Sequence, residues 1–377
     1  MSPPSAPRHV LMTTDAVGGV WVFATSLACE LCRRGDRVTL VTLGPAPQPD
    51  QVQALRQIPG LSVEVTDLAL EWMDPGGRDA DRAFRILAEL ERRTEPDVVH
   101  LNSYREASAS WISPVLVTAH SCARSWHLAC RGDEPSGPDW NTYAANVADG
   151  LLAADLWTAP TAAFGKIIDQ LYVPPPGRRV WNGVDAAPPG VTKQPFIMAA
   201  GRFWDEAKNL AVLASIEKSL TWPVRVAGPL HWEGNSVLPS RSIHWLGELP
   251  RRELLAQLQT AEIFVSPALY EPFGLTVLEA AAAGCALVLS DIPSFRELWD
   301  GAASFVDPRD RNALRDAIDQ LCRDQGQRQL MQRAAIKRAG RYRLSRMVEA
   351  YSDIYSGLSG TTQATRTYEA SMMGGHP

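Results

Sequence analysis

Short apolar runs alternate with amphipathic stretches along most of the chain. In the first half, the apolar run 8–13 predicts a strand. Residues 20–34 follow, with apolar residues at helical spacing, and the apolar run 37–43 predicts the next strand. This βαβ order predicts a parallel sheet. Further strands are expected at 61–65, 97–102, 114–120 and 156–159, and helices at 78–94, 141–154 and 161–172. Residues 179–185 are expected to close the domain.

A second half repeats this order after the Pro- and Gly-rich break at 184–195. Such a break between two patterned halves predicts a boundary between α/β domains, here residues 1–188 and 189–343. The Gly-, Ser- and Thr-rich segment 358–377 is expected to be a disordered tail. Strands are expected at 196–200, 224–228, 242–246, 262–266, 286–290 and 303–306, and helices at 209–220, 250–260, 310–323, 326–340 and 344–356.

Composition narrows the class of protein. The 377 residues suit two domains, and 45% hydrophobic with 21% charged residues is typical of a globular chain. A net charge of −5 does not suggest a nucleic-acid partner. The apolar runs are shorter than the roughly 20 residues that span a bilayer, and the first residues lack a signal-peptide core, so a cytoplasmic location is expected. The basic segment 323–346 fits a solvated helix face, while peripheral contact with the inner face of a membrane stays open.

No metal or other cofactor is expected. Cys29 and Cys32 lie within a helical pattern without a second pair at zinc spacing. The acids of the Asp79-Ala80-Asp81 stretch fall in the first turn of a helix, where they suit the helix dipole. A metal set of His120, Cys122, His127 and Cys130 is conceivable, but the last three lie in the aperiodic segment 121–140 directly after His120, and we interpret that segment as a binding loop rich in Arg and Trp.

Three turns carry candidate ligand-binding groups. Gly18 and Gly19 stand where the first strand meets a helix, which allows close approach of an anion, although a plain tight turn gives the same pattern. Arg202 and Lys208 flank the corresponding turn of the second half and suit a diphosphate, with surface ion pairing as the alternative. His120 ends a buried strand and is either functional or a hydrogen-bonded loop histidine.

Glu271 and Glu279 surround a Pro-Phe-Gly turn. On one helix they would be about 80° apart and about 12 Å apart along the axis, so they would not face one site. Pro272 and Gly274 instead place Glu271 in a loop and start the helix near Leu275. A carboxylate suits a sugar diol, because it accepts two hydroxyl hydrogens. The alternative for Glu279 is that its negative charge near the helix N-terminus only compensates the helix dipole.

These motifs resemble the retaining GT-B glycosyltransferases of family 4. The resemblance rests on GRFWDEAKNL, on AGP at 227–229 and on YEPFGLTVLEAAAAGCALVLSD, and more loosely on VGGV, TAHS and NGVD at 182–185. It implies an α/β fold of GT-B architecture, in which two Rossmann-like domains face each other across a cleft. It also implies that the helix at 344–357 crosses back to the N-terminal domain, on the acceptor side.

The resemblance also implies roles for individual residues. Arg202 and Lys208 would bind the donor diphosphate, Glu271 would lie beside the donor sugar, and Glu279 would bind the ribose. His120 would contact the sugar near the reacting carbon. Further donor contacts would come from the backbone of Gly18, Gly19, Phe273, Gly274, Leu275 and Thr276.

The implied activity moves a sugar from a UDP-, GDP- or ADP-linked donor to an acceptor hydroxyl, with retention of configuration and without a metal. The acceptor would be a saccharide or a lipid-linked sugar, in polysaccharide or glycoconjugate biosynthesis. A sugar-nucleotide epimerase, a sugar phosphorylase on the same fold and a non-catalytic sugar-nucleotide-binding protein are the alternatives. Neither the donor nor the acceptor can be identified from these residues.

Overall fold

Two parallel β-sheets, each with helices around it, make up the computed structural model, which describes residues 7–185, 191–232, 235–236 and 243–373. The first sheet contains seven strands in the order β3-β2-β1-β4-β5-β6-β7. Its strands are β1 His9–Asp15, β2 Arg37–Leu43, β3 Leu61–Val65, β4 Val98–Leu101, β5 Val115–Thr118, β6 Leu156–Ala159 and β7 Arg178–Arg179. Its helices are α1 Gly19–Arg33, α2 Pro49–Arg56, α3 Ala80–Thr94, α4 Ala123–Arg131, α5 Pro138–Ala153 and α6 Ala162–Tyr172.

The second sheet contains six strands in the order β12-β9-β8-β13-β14-β15. A hairpin of β10 and β11 stands apart from it. The strands are β8 Gln194–Ala200, β9 Val224–Ala227, β10 His231–Trp232, β11 Asn235–Ser236, β12 His244–Trp245, β13 Ala261–Ser266, β14 Ala286–Ser290 and β15 Ser304–Val306. The helices are α7 Leu210–Ile216, α8 Arg251–Thr260, α9 Leu275–Ala282, α10 Pro293–Trp299, α11 Arg311–Arg323, α12 Gln325–Ala339 and α13 Leu344–Met373.

Both sheets reverse their strand order at one place. In the first, β1 pairs with β2 on one side and β4 on the other. In the second, β8 pairs with β9 and β13. Open parallel sheets bind ligands outside the carboxyl ends of the strands at such a reversal. The fold therefore directs attention to the loops that follow β1, β4, β8 and β13.

The last helix, α13, returns to the first domain, as the family resemblance implied. Tyr351 and Tyr355 are fully buried there and pack with α1 and the first sheet. The Tyr355 hydroxyl lies 2.7 Å from Nδ1 of buried His100, and the other ring nitrogen lies 2.7 Å from the Thr118 hydroxyl. Burial lowers the pKa of His100 to about 3, so this ring is a neutral link between helix and sheet.

Several predicted elements differ from the observed ones. The expected loop 121–140 contains α4 at Ala123–Arg131, because the Cys122 thiol caps the first turn and the helix ends at Gly132 in a left-handed conformation. The helix expected at 209–220 is split into α7 and a 3-10 turn at Glu217–Ser219.

The predicted end of the last helix, at 356, was also wrong. Helix α13 runs to Met373 and takes in most of the segment that we predicted as a tail, while 374–377 lie outside the described residues. The predicted boundary at 188/189 likewise falls within 186–190, which the structure does not describe. Within the described residues, no helix is both long and apolar enough to cross a membrane.

Candidate active site

Four loops meet where the two sheets present the carboxyl ends of their central strands. Residues 16–18 follow β1, and Asn102 follows β4. From the second domain, 201–208 follow β8 and 267–274 follow β13. Every residue predicted to bind the donor, except His120, lies in these loops or in the helices α1 and α9 that continue them, and His120 follows the neighbouring strand β5.

Arg202 reaches across the cleft to the first domain. Its Nη1 donates a 3.0 Å hydrogen bond to the carbonyl of Val17. A Cβ added to Gly18 would lie 3.0 Å from the same Nη1, so the guanidinium lies directly against the glycine. A Cβ added to Gly19 would lie 3.9 Å from the side chain of Leu275. The first residues of α1 and α9 therefore face each other, and both helix ends favour an anion.

Lys208 forms an ion pair with Glu271. Its Nζ lies 2.7 Å from a Glu271 oxygen, and both side chains are about one-fifth exposed. A 3-10 turn at Glu206–Lys208 positions the lysine, and the next residue, Asn209, has a left-handed backbone with φ of 53°. The Asn209 amide donates 2.9 Å hydrogen bonds to two carbonyls, which fix this turn against the domain.

The loop after β13 has the form that Pro272 and Gly274 predicted. Gly274 is left-handed, with φ of 85°, and α9 begins at Leu275. Glu271 therefore lies in the loop and Glu279 within the helix, where it is buried and forms a 2.6 Å ion pair with Arg251 of α8. Burial raises the pKa of Glu279, and the Arg251 charge opposes this shift.

His120 is held by the residue at the end of the neighbouring strand. Its Nε2 lies 2.7 Å from Oδ1 of Asn102, whose Nδ2 donates to the carbonyl of Thr13. Because Oδ1 only accepts, Nε2 carries the hydrogen and Nδ1 is left as an acceptor. The ring packs edge-on against Phe23 at 4.6 Å, and burial lowers the pKa of His120 to about 3. The imidazole is therefore neutral at physiological pH.

Sequence reasoning missed several residues of this site. Asp15 ends β1 and accepts the amide of Val17 at 2.9 Å; burial raises the pKa of its carboxyl, and the charge of Arg202 lowers it. Asn102, Asp205 and Arg251 were also missed. Asp15 and Asn102 carry a signal that we did not use, since both are polar residues at the carboxyl ends of buried strands.

Phe273, Leu275 and Thr276 were also predicted to contact the donor through their backbone, and they lie at the start of α9. The Phe273 side chain points into the core of the second domain, so only its backbone is available. Leu275 and Thr276 form the first turn of α9 and are partly exposed. Within the described residues, His, Cys, Asp and Glu side chains form no group of three or more that could hold a metal ion.

Comparison with known proteins identifies the family. Residues 191–338 match the family described as Glycosyl transferases group 1, and residues 17–187 match Glycosyltransferase Family 4. The chain is 41% identical over 365 residues to the glycogen synthase of Mycobacterium tuberculosis, covering 85% of this chain and 86% of that one. The chain belongs to glycosyltransferase family 4. It is thus a retaining glycosyltransferase that transfers a sugar from a nucleotide sugar.

A further curated relative and two solved structures are also similar to this chain. A D-inositol 3-phosphate glycosyltransferase of Xylanimonas cellulosilytica is 26% identical over 91% of this chain and 92% of its own. Sucrose-phosphate synthase of Thermosynechococcus elongatus superposes with a TM-score of 0.76 at 14% identity, over 94% of this chain and 100% of that one. HepE of Anabaena, solved with UDP-glucose, gives 0.70 at 17% identity over 93% and 100%. These superpositions confirm the GT-B fold.

Proposed function

We propose that this glycosyltransferase moves a glucosyl unit from a nucleoside-diphosphate glucose to a hydroxyl of a growing glucan. The observation that carries the proposal is the 41% identity to a glycogen synthase over 85% of the chain. The relative named for an inositol phosphate acceptor is only 26% identical. Family membership favours transfer over the epimerase, phosphorylase and binding-protein alternatives.

The donor diphosphate would lie between the facing ends of α1 and α9. Arg202 would bind it from its position against Gly18, and the free backbone amides of Gly19 and Leu275 would add partial positive charge. As the bond between the anomeric carbon and the leaving phosphate breaks, negative charge grows on the diphosphate. A preorganised cation and two helix ends stabilise that charge at little cost in reorganisation.

Lys208 and Glu271 would separate when the donor binds. Lys208 would turn its ammonium to the phosphates, and the Glu271 carboxylate would accept hydrogen bonds from the hydroxyls of the glucose. The acceptor oxygen would form the new bond on the face that the diphosphate leaves, and a phosphate oxygen would take its proton. Neutral His120 would accept a sugar hydroxyl at Nδ1.

Glu279 would bind the ribose diol through its buried carboxylate. Arg251 occupies one oxygen of that carboxylate at 2.6 Å, so the arginine must share or leave it when the nucleotide enters. Its side chain is 45% exposed, which makes this movement inexpensive. Ribose binding would therefore move Arg251, whose side chain reaches the protein surface.

The first domain would bind the acceptor, a saccharide in this proposal and a lipid-linked sugar in the alternative. Membrane contact through the basic segment 323–346 has less support, because one of its arginines is buried and paired within the protein. Arg328 is buried, stacks on Trp222 at 4.7 Å and pairs with Glu262. No nucleic-acid partner is proposed.

The test measures glucose transfer to a soluble glucan from UDP-, ADP- and GDP-glucose, together with thermal stabilisation by each nucleotide. One donor should support transfer, and Lys208→Ala and Glu271→Ala should each lower kcat/KM by at least about 100-fold. Lys166→Ala, an exposed lysine of α6, is the matched control. Failure of all three glucose donors while GDP-mannose is used would reject a glucosyl donor, and normal turnover in both site variants would reject the site.

A further inference from the structure

Helix α4, which the sequence pattern did not predict, joins the two domains beside the reaction site. It begins three residues after His120 and contacts both loops that carry the reactive groups of the second domain. The indole Nε1 of Trp126 donates a 2.8 Å hydrogen bond to Oδ1 of Asp205. At the preceding residue, the Ser125 hydroxyl lies 2.8 Å from the hydroxyl of Tyr270.

Asp205 connects the first of these contacts to both cations. The oxygen that accepts the indole also accepts the backbone amide of Ala207 at 3.0 Å, which caps the 3-10 turn carrying Lys208. The second oxygen lies 3.7 Å from Nη2 of Arg202. A displacement of the Trp126 indole would therefore shift the turn that orients Lys208 and the guanidinium of Arg202.

Tyr270 and Pro272 bracket Glu271 with contacts to the first domain. The Tyr270 ring is 9% exposed and packs within the core of that domain, although it belongs to the second. On the other side of Glu271, the carbonyl of Pro272 accepts a 2.9 Å hydrogen bond from the buried hydroxyl of Thr161. Both neighbours of Glu271 thus contact the first domain, while the Ser294 hydroxyl holds the Glu271 carbonyl within the second.

We propose that α4 is the contact through which domain closure aligns the reactive groups, with Trp126 and Tyr270 as positioning residues. Neither residue is among those proposed to contact the donor. In the open protein both hydrogen bonds are broken, and Lys208 and Glu271 lose the alignment that the transfer step needs. Small misplacements of reactive groups lower rates by large factors, and incomplete closure admits water to the donor. This inference rests on the proposed glycosyl transfer.

The test compares Trp126→Phe and Tyr270→Phe with the unmodified enzyme. Each variant keeps an aromatic ring and loses one polar hydrogen. We expect kcat for transfer to fall at least tenfold, while the Kd for the nucleoside diphosphate alone changes less than threefold. The fraction of donor lost to hydrolysis should rise. The radius of gyration from solution scattering should increase, because the closed state is less populated.

Two matched controls remove the same groups within one domain. In Trp111→Phe the lost indole hydrogen bonds the carbonyl of Glu106 at 2.9 Å within the first domain. In Tyr342→Phe the lost hydroxyl bonds the carbonyl of Leu298 at 3.1 Å within the second. Both controls should keep kcat, hydrolysis fraction and radius of gyration near those of the unmodified enzyme.

The outcomes separate this inference from the proposed function. If Trp126→Phe and Tyr270→Phe match the controls in kcat and radius of gyration, the inference is wrong even though transfer occurs. A parallel loss of nucleotide affinity and kcat would also overturn it, since that indicates general damage. If Tyr270→Phe does not fold, the test rests on Trp126→Phe alone, since Trp126 is only half-buried. If the unmodified enzyme transfers no sugar, the proposed function is wrong. In that case the scattering still tests this inference: an unchanged radius of gyration in both variants would show that α4 does not hold the domains closed.

Discussion

Replacing Gly18 with alanine places one methyl group against the side chain that reaches across the cleft. The added Cβ would lie 3.0 Å from Nη1 of Arg202 and 3.2 Å from its Cδ and Cζ. All three atoms belong to a flexible side chain that can move, although alanine at the Gly18 φ of 159° also strains the backbone. The guanidinium should move away, and its 3.0 Å hydrogen bond to the carbonyl of Val17 should break.

The size of the effect follows from what Arg202 loses. A hydrogen bond from a charged donor contributes about 1.5–3 kcal/mol. If that interaction positions the guanidinium for the diphosphate, kcat/KM should fall by about 10- to 150-fold, because each factor of ten in rate corresponds to about 1.36 kcal/mol. The folded state should also lose some stability, because Gly18 has a φ of 159°, a conformation that residues with a Cβ rarely adopt.

The assay is a double-mutant cycle with steady-state transfer and thermal melting. Gly18→Ala is measured alone, and again in an Arg202→Ala background where no side chain remains to be displaced. If the methyl group acts through Arg202, its effect on kcat/KM should nearly vanish in that background. Equal effects of Gly18→Ala in both backgrounds would refute the reasoning, and a large drop in melting temperature would show that the turn itself was damaged.

Three further predictions concern stability. Burial raises the pKa of Glu71 to about 8, so the folded state holds its proton more tightly than the unfolded chain, and stability should fall as pH rises from about 4.5 to 8. Glu71→Gln should flatten that fall by at least about 1 kcal/mol in denaturant melts across this range; an unchanged slope would contradict it. Gly150→Ala should cost about 3 kcal/mol or more, because its Cβ would lie 2.0 Å from the carbonyl oxygen of Tyr104. Arg251→Gln leaves Glu279 buried without its cation, so we expect a loss of about 1 kcal/mol at pH 8 in denaturant melts and a smaller loss as the pH is lowered, because burial raises the pKa of this carboxyl and a protonated carboxyl needs no cation; a loss that does not change with pH would contradict it.

Local periodicity and backbone chemistry account for what the sequence predicted correctly. Buried parallel strands are short continuous apolar runs, and their helices repeat apolar residues at helical spacing, so most elements were found within a few residues. The placement of Glu271 and Glu279 followed from Pro272 and Gly274, which restrict the backbone wherever they occur. These effects are carried by neighbours in the chain.

Helix α4 escaped prediction because its buried face is built from residues that rarely count as apolar. Ser125 and Cys130 are buried there, and Cys122 caps the helix with a thiol instead of a hydroxyl or carboxylate. The left-handed Gly132 at its end was the one available signal. The pairing of Trp126 with Asp205 joins residues far apart in sequence, and no periodicity in one segment encodes such a partner.

The return of α13 to the first domain affects the order in which the chain becomes folded. Met347, Val348 and Tyr351 complete a core whose other members come from α1, α2 and the first sheet. The second domain is continuous, so its core can close as soon as α12 has been synthesised. The first domain must wait for the last helix with part of its apolar surface uncovered. During synthesis, we expect the domain that is made first to be finished last.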